Sequence, residues 1–140
     1  MKTDKTLFTA ENLYRLVFIA AGLYNLAFAI GLLISPDALF ALADVRASVV
    51  PGYSIPLAIA IILFGVLYFR IAQHPYHSPL LVLIAFLGKA GPPLLLLFGL
   101  VFLDWSADLL KMVFFNDLIW LAPFFLLLGV NVLKRLSCYP

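Results

Sequence analysis

The chain has 140 residues, 65% of them hydrophobic and only 11% charged, with a formal net charge of +2. A soluble domain carries about 25% charged residues, so one apolar core under a wetted surface is excluded, as are disorder, collagen and a nucleic-acid binder. The single cysteine, Cys138, allows no internal disulfide. This composition predicts an all-α, polytopic integral membrane protein, with residues 1–140 forming a single transmembrane domain of four helices.

A bilayer core about 30 Å thick needs about 20 apolar residues of helix. Four segments meet or approach that length: residues 13–34, 55–71, 79–103 and 109–133. Backbone polar groups cannot stay unpaired in hydrocarbon, and runs this continuous do not alternate as barrel strands must, so the spans are helices. Before the first span come Lys2 and Lys5, and Ala27-Phe28-Ala29 fits a small-x-small cleavage site. The apolar run continues past that site to Ile34, longer than a signal peptide needs, and reads as a span.

Between the first two spans, residues 36–44 contain Leu39, Phe40, Leu42 and Ala43, a pattern suited to a short helix lying on the outer membrane face. Ser35-Pro36-Asp37 supplies its cap, a first-position proline and an acid in the first turn. Residues 49–54, with Pro51 and Gly52, form a turn that reads either as a tether or as a lid over a pocket. Ser54 with Pro56, Ser78 with Pro79, and the stretch from Asp104 to Asp108 with Ser106 are the cap candidates for the remaining spans.

Orientation follows from lysine and arginine. One side carries Lys2, Lys5, Arg15, Arg70, Lys134 and Arg135; the other has Arg46 and Lys111 among Asp37, Asp44, Asp104 and Asp108. Six against two predicts an antiparallel bundle with both termini in the cytoplasm, in a bacterial inner membrane.

Candidate functional residues lie where polar groups interrupt the apolar spans. A lysine or aspartate at a helix centre costs about 2.5–3.5 kcal/mol on insertion scales, so such a group faces the interior and has a partner. Lys89 lies near the middle of the third span, directly before Gly91-Pro92-Pro93. Pro92 and Pro93 cannot donate to the carbonyls of Gly88 and Lys89, so a kink is expected at the depth of the cation, and interrupted helices at midplane mark binding sites in some transporters. Asp117 and Asn116 lie in the outer half of the fourth span. At ~1.5 Å per residue, Lys89 sits ~20 Å and Asp117 ~12 Å from the outer ends of their spans. The mismatch of ~8 Å leaves a direct pair, a water-bridged pair and a neutral lysine all open.

Asn116, Trp120 and Pro123 share one face of the fourth span, and Trp120 sits too deep for an interfacial tryptophan. It reads as bulk packing or as a border to the polar groups. In the first span, Gly22, Asn25 and Ala29 form a face of small or polar residues that permits close helix approach. Asn25 reads as interhelical glue or, with Tyr24, as pocket wall. The second span shows no polar group in its middle and is expected to supply wall and lipid-facing surface.

His74 and His77 flank Pro75 and Tyr76, a poor metal pair without a third ligand, and no histidine lies inside a span to bind haem. No metal and no cofactor is expected. Cys138, third from the end, fits no prenylation box. Length and four-span layout resemble several groups of small bacterial membrane proteins, the DoxX-like group among them. The proportions also resemble small multidrug transporters, whose first span carries a glutamate; here Glu11 lies just before the span.

Three functions remain. The first is a polar pocket of Lys89, Asn116, Asp117, Trp120, Asn25 and Tyr24 that binds an amphipathic, lipid-like molecule. In an enzymatic version Lys89 or Asp117 transfers a proton, and Lys89→Met is expected to abolish binding without unfolding the protein. The second is an accessory subunit of a membrane complex, and the third a proton-coupled small-solute transporter acting as a homo-oligomer. The partners expected are the bilayer, a lipid-like ligand and a second copy or foreign subunit, and no nucleic acid.

Overall fold

Long apolar runs without strand-like alternation should give helices, and the computed structural model, which describes residues 3–42, 54–105 and 107–137, is all-helical among those residues. The elements are α1 (Thr3–Ile34), α2 (Pro36–Leu42), α3 (Ser54–Gln73), α4 (Pro79–Phe102), α5 (Leu109–Val113), a π-helical turn (Phe114–Leu118) and α6 (Ile119–Ser137). Four helical segments, Ala10–Ile34, Ser54–Gln73, Pro79–Phe102 and Leu109–Asn131, are long and apolar enough to cross a bilayer. They mark an integral membrane protein. A short helix, α2, occupies residues 36–42 of the stretch where a surface helix is expected. Residues 43 and 44, residues 49–53 of the turn expected at 49–54, Ser106 and Cys138 lie outside the described residues, and Ser54 of that turn begins α3.

The helix starts rest less on side-chain caps than the sequence suggests. Ser78 occupies the cap position of α4 and Asp108 that of α5, but neither side chain makes a capping hydrogen bond. Pro79 at the first position of α4 has no N–H, so that helix start has one orphan donor fewer. α4 runs through Pro92 and Pro93 as one helix. The irregular turn falls instead in the fourth span, where the Ile119 N–H reaches back five residues to the Phe114 carbonyl.

Inward-facing positions follow a three-and-four spacing along each helix. On α1 they are Phe18, Ala21, Asn25, Ala29 and Leu32; on α4, Val82, Ala85, Lys89, Leu96 and Gly99; on the fourth span, Asp117, Phe124, Leu127 and Asn131. This stripe is the seam of packed helices. One apolar cluster gathers Phe18, Tyr68 and Phe124, with the Phe18 and Phe124 rings stacked 4.4 Å apart and Tyr68 edge-on to Phe124 at 5.2 Å. A second gathers Ala29, Leu32 and Ala58, with Leu39 and Phe40 of α2 packed on it. Asn25 and Lys89 fall on the stripe between the apolar positions of their helices. The opposite faces of the spans expose Leu16, Leu63, Leu94 and Phe125, as a lipid-facing surface should.

α1 packs most extensively on α3, and two glycines allow it. A Cβ on Gly22 would stand 3.2 Å from the Gly65 carbonyl oxygen, and one on Gly65 would stand 3.3 Å from that of Gly22. The backbones therefore meet without side chains between them. At the other end of the spans, Asn131 Nδ2 donates to the Pro75 carbonyl at 3.1 Å and ties α6 to the α3–α4 connection. Tyr76 in that connection stands edge-on to Tyr14 at 6.1 Å. Burial, then the neighbouring Tyr14 and Glu11, holds its hydroxyl above the usual tyrosine range.

Gly65→Leu should force α1 and α3 apart and cost about 1–3 kcal/mol, the usual penalty of overpacking. Thermal unfolding in detergent would show a lowered transition. Gly91→Leu, where an added Cβ meets nothing within 4 Å, should leave it unchanged; equal effects from the two would contradict the close approach.

Candidate functional site

Lys89 is 3% exposed, Asp117 3% and Asn25 2%. Three ionised or amide groups this deep need partners, because an unpaired buried polar group loses its hydration without return. The partners are one another. Lys89 Nζ donates to Asn25 Oδ1 at 3.1 Å, to the main-chain carbonyl of Asn116 at 2.6 Å and to Asp117 Oδ1 at 3.2 Å. An ammonium has three donors, and each has an acceptor here. Asp117 Oδ1 also accepts from Asn116 Nδ2 at 3.0 Å. Asn25 Nδ2 reaches the Ile61 carbonyl at 3.5 Å. The cluster thus joins α1, α3, α4 and the π turn.

The π turn is what brings the fourth span to the lysine. Its looser hydrogen-bond ladder lets the Asn116 carbonyl turn toward the Lys89 ammonium, a side-chain insertion of the kind that distorts regular helices. Asn116 and Asp117 sit side by side in this turn, so one supplies a main-chain acceptor and the other a carboxylate to the same cation. The depth mismatch estimated from a regular helix does not separate the pair: of the arrangements left open by the sequence, the structure has the direct one.

A cavity of about 280 Å³ adjoins the cluster. Its polar end is Asn25, Lys89, Asn116 and Asp117, with Tyr68 beside them. Its apolar walls are Leu57, Ile61 and Phe64 of α3, Phe40 of α2, and Met112 and Val113 of α5. Tyr24 and Trp120, placed in the pocket by sequence reasoning, do not line it. Their rings lie 6.0 Å apart, beside the cluster, and Trp120 packs against the Phe18–Tyr68–Phe124 core.

Sequence reasoning missed Tyr68. The second span does carry a polar group in its interior: Tyr68 is 1% exposed, its hydroxyl is in hydrogen-bonding contact with the Asn25 side chain, and its ring faces Lys89 Nζ at 5.8 Å from the centroid. A tyrosine among aliphatic residues reads as bulk. Its place three residues after Gly65, on the inward face, was the available signal. His74 and His77 stand with rings 6.0 Å apart, and no group of three or more metal-ligating side chains occurs among the described residues.

Two polar atoms remain in the neighbourhood. Asn116 Oδ1 and Trp120 Nε1 are buried and have no hydrogen-bond partner among the described residues. One is an acceptor and one a donor, about a helical turn apart on the same strand of chain.

Lys89→Met is not the neutral probe that the sequence suggests, because it leaves the Asp117 carboxylate buried and unpaired. Breaking one side of such a pair costs about 3–5 kcal/mol, so the variant should unfold at markedly lower temperature. Lys89→Met with Asp117→Leu should recover most of that loss, and a double-mutant cycle on thermal unfolding would show non-additivity of more than about 1 kcal/mol. Additive losses would contradict the pairing. No protein-family model, curated protein or solved structure matches the chain, so its activity has to be reasoned from this cluster and cavity.

Proposed function

We propose that the chain is a binding protein of a bacterial inner membrane, a bundle of four antiparallel spans with both termini in the cytoplasm. Its cavity takes an amphipathic, lipid-like molecule, with the polar head at the Lys89–Asp117 end and the tail along Leu57, Ile61 and Phe64. Six lysines and arginines against two support the orientation. Short connections between the second and third and between the third and fourth spans support the antiparallel arrangement.

The observation that carries the binding reading is the cavity itself: one polar end inside an otherwise apolar chamber. Ligand sites are mostly apolar with a few convergent polar groups, and their volumes run from about 300 to 1,000 Å³. This one is near the lower bound, which suits a single hydrocarbon chain. Along α3 the lining extends from Leu57 to Tyr68, a rise of ~16 Å at ~1.5 Å per residue. A transporter built on the same residues would need a second chain to complete a path, and an accessory subunit would need a foreign one.

Protein extracted in mild detergent should carry a lipid-like molecule in near-stoichiometric amount, detected by mass spectrometry of the organic extract. Ala60→Trp, which fills the cavity from the α3 wall away from the ion pair, should lose that molecule and keep its thermal transition. Equal lipid content in the two proteins would remove the binding reading.

A further inference from the structure

We infer that the cavity is entered sideways, from the hydrocarbon of the bilayer, through a gap between α3 and α4 bounded by Leu57, Ala60 and Pro92. Its ligand is then a lipid resident in the membrane, with its tail passing out between these two helices. This rests on the binding reading above, which leaves the route and the source of the ligand open.

The gap follows from how the two helices meet. Beside the ion pair, α3 and α4 touch: the Phe64 ring lies over Gly88, and a Cβ on that glycine would collide with it. Toward Phe102 the helix α4 stands clear. A Cβ on Gly91 would meet nothing within 4 Å, and Pro92 is exposed although it lines the cavity. On α3, toward Ser54, Leu57 and Ala60 have the same double character: both line the cavity and both are exposed, Leu57 by 45%. These three are the exposed members of the lining; every other residue of it is half-buried or buried. The chamber therefore runs from an open rim on α3 and α4 to a buried polar end.

The rim is apolar and lies within the spans. At ~1.5 Å per residue, Leu57 and Ala60 stand ~5 and ~9 Å along α3 from Ser54, and Pro92 stands ~15 Å along α4 from Phe102. From Ser54 to Phe69, α3 carries no charged side chain, and the one charge on α4 is the buried Lys89. Ile59, Leu63, Leu94 and Leu95, neighbours of the rim in sequence, are each more than half exposed. A surface of this kind faces acyl chains and not water. The other walls are filled. Phe40 of α2 forms one, packed with Leu39 on Ala29, Leu32 and Ala58. Tyr68 forms another, edge-on to Phe124.

A lateral gap changes what the chamber has to hold. A tail that leaves between α3 and α4 continues among the acyl chains of the bilayer. The volume of about 280 Å³ then encloses the head and the first part of the chain, and sets no limit on the chain's length.

The test follows exchange of the lipid that the protein carries. Protein from cells grown on ¹³C is moved into nanodiscs made of the unlabelled lipid extract of the same membrane. Loss of the ¹³C lipid from the protein is then followed by native mass spectrometry. Leu57→Cys and Leu63→Cys, each combined with Cys138→Ser, are labelled with pyrene maleimide in detergent while they carry lipid. Leu63 is on the same helix and is more exposed, 65% against 45%, but does not line the cavity. Pyrene at position 57 should slow the exchange at least about tenfold relative to the unlabelled variant, and pyrene at position 63 should leave it within about twofold, the difference lying in the exit rate. Circular-dichroism melting reports whether each protein is folded, and if Leu57→Cys does not fold, Ala60→Cys takes its place on the same rim. Exchange that is unchanged or faster with pyrene at the rim would overturn the inference and leave the binding reading standing. Equal slowing from both positions would do the same. Absence of a carried lipid in the unmodified protein would remove both.

Discussion

An ammonium ion in the middle of an apolar helix has to find three acceptors, and much of this structure is arranged around that requirement. Lys89 finds them on two segments far apart in sequence: an amide from α1, and a main-chain carbonyl and a carboxylate from the π turn. Each acceptor fixes a helix. Asn25 also bonds to the α3 backbone at Ile61, so α3 is drawn into the same layer. Apolar packing against lipid gives helices little reason to choose one partner, because the tails are as apolar as leucine. A buried ion with a fixed number of donors supplies the specificity that packing lacks. The close approach of Gly22 and Gly65 works alongside it, bringing Asn25 within reach of the lysine.

The π turn is the cost of that arrangement and its means. A regular helix through residues 114–118 would commit the Asn116 carbonyl to its own ladder. Loosening the ladder by one residue opens that oxygen to the lysine and leaves Asn116 and Asp117 presenting three polar groups from two adjacent positions. Such turns interrupt α-helices most often at functional sites. Here the interruption lies at the polar end of a cavity. α4 continues as one helix through the two prolines at which the sequence suggests a kink.

Much of the fold was legible in the sequence. Four apolar runs of near-bilayer length are a composition signal that no tertiary contact overrides, and their bounds fall within a few residues of the helical segments apolar enough to cross a bilayer, although α1 itself begins ten residues earlier, at Thr3. Lys89, Asp117 and Asn25 were legible for the same reason: each breaks the apolar rule, and each lies on the inward stripe. What was not legible has physical causes. A π turn has no residue signature, since it is a choice among hydrogen-bond partners and not a property of side chains. Tyr68 was invisible because a phenol among leucines and isoleucines looks like packing until its neighbours are known. Tyr24 and Trp120 were placed by their proximity in sequence to Asn25 and Asp117, and that neighbourhood does not say which way a ring turns. The caps at Ser78 and Asp108 were read from residue type, whereas their side chains make no cap bond.

The whole account depends on the ammonium of Lys89 touching the carboxylate of Asp117 inside the membrane. Solid-state NMR on the protein in lipid bilayers measures this directly, through dipolar recoupling between ¹⁵Nζ of the lysine and ¹³Cγ of the aspartate. With Nζ 3.2 Å from Oδ1, a strong coupling is expected, corresponding to a separation of about 4 Å or less. A lysine nitrogen uncoupled from that carboxyl carbon would contradict the cluster, and with it the cavity's polar end and the reading of function built upon it.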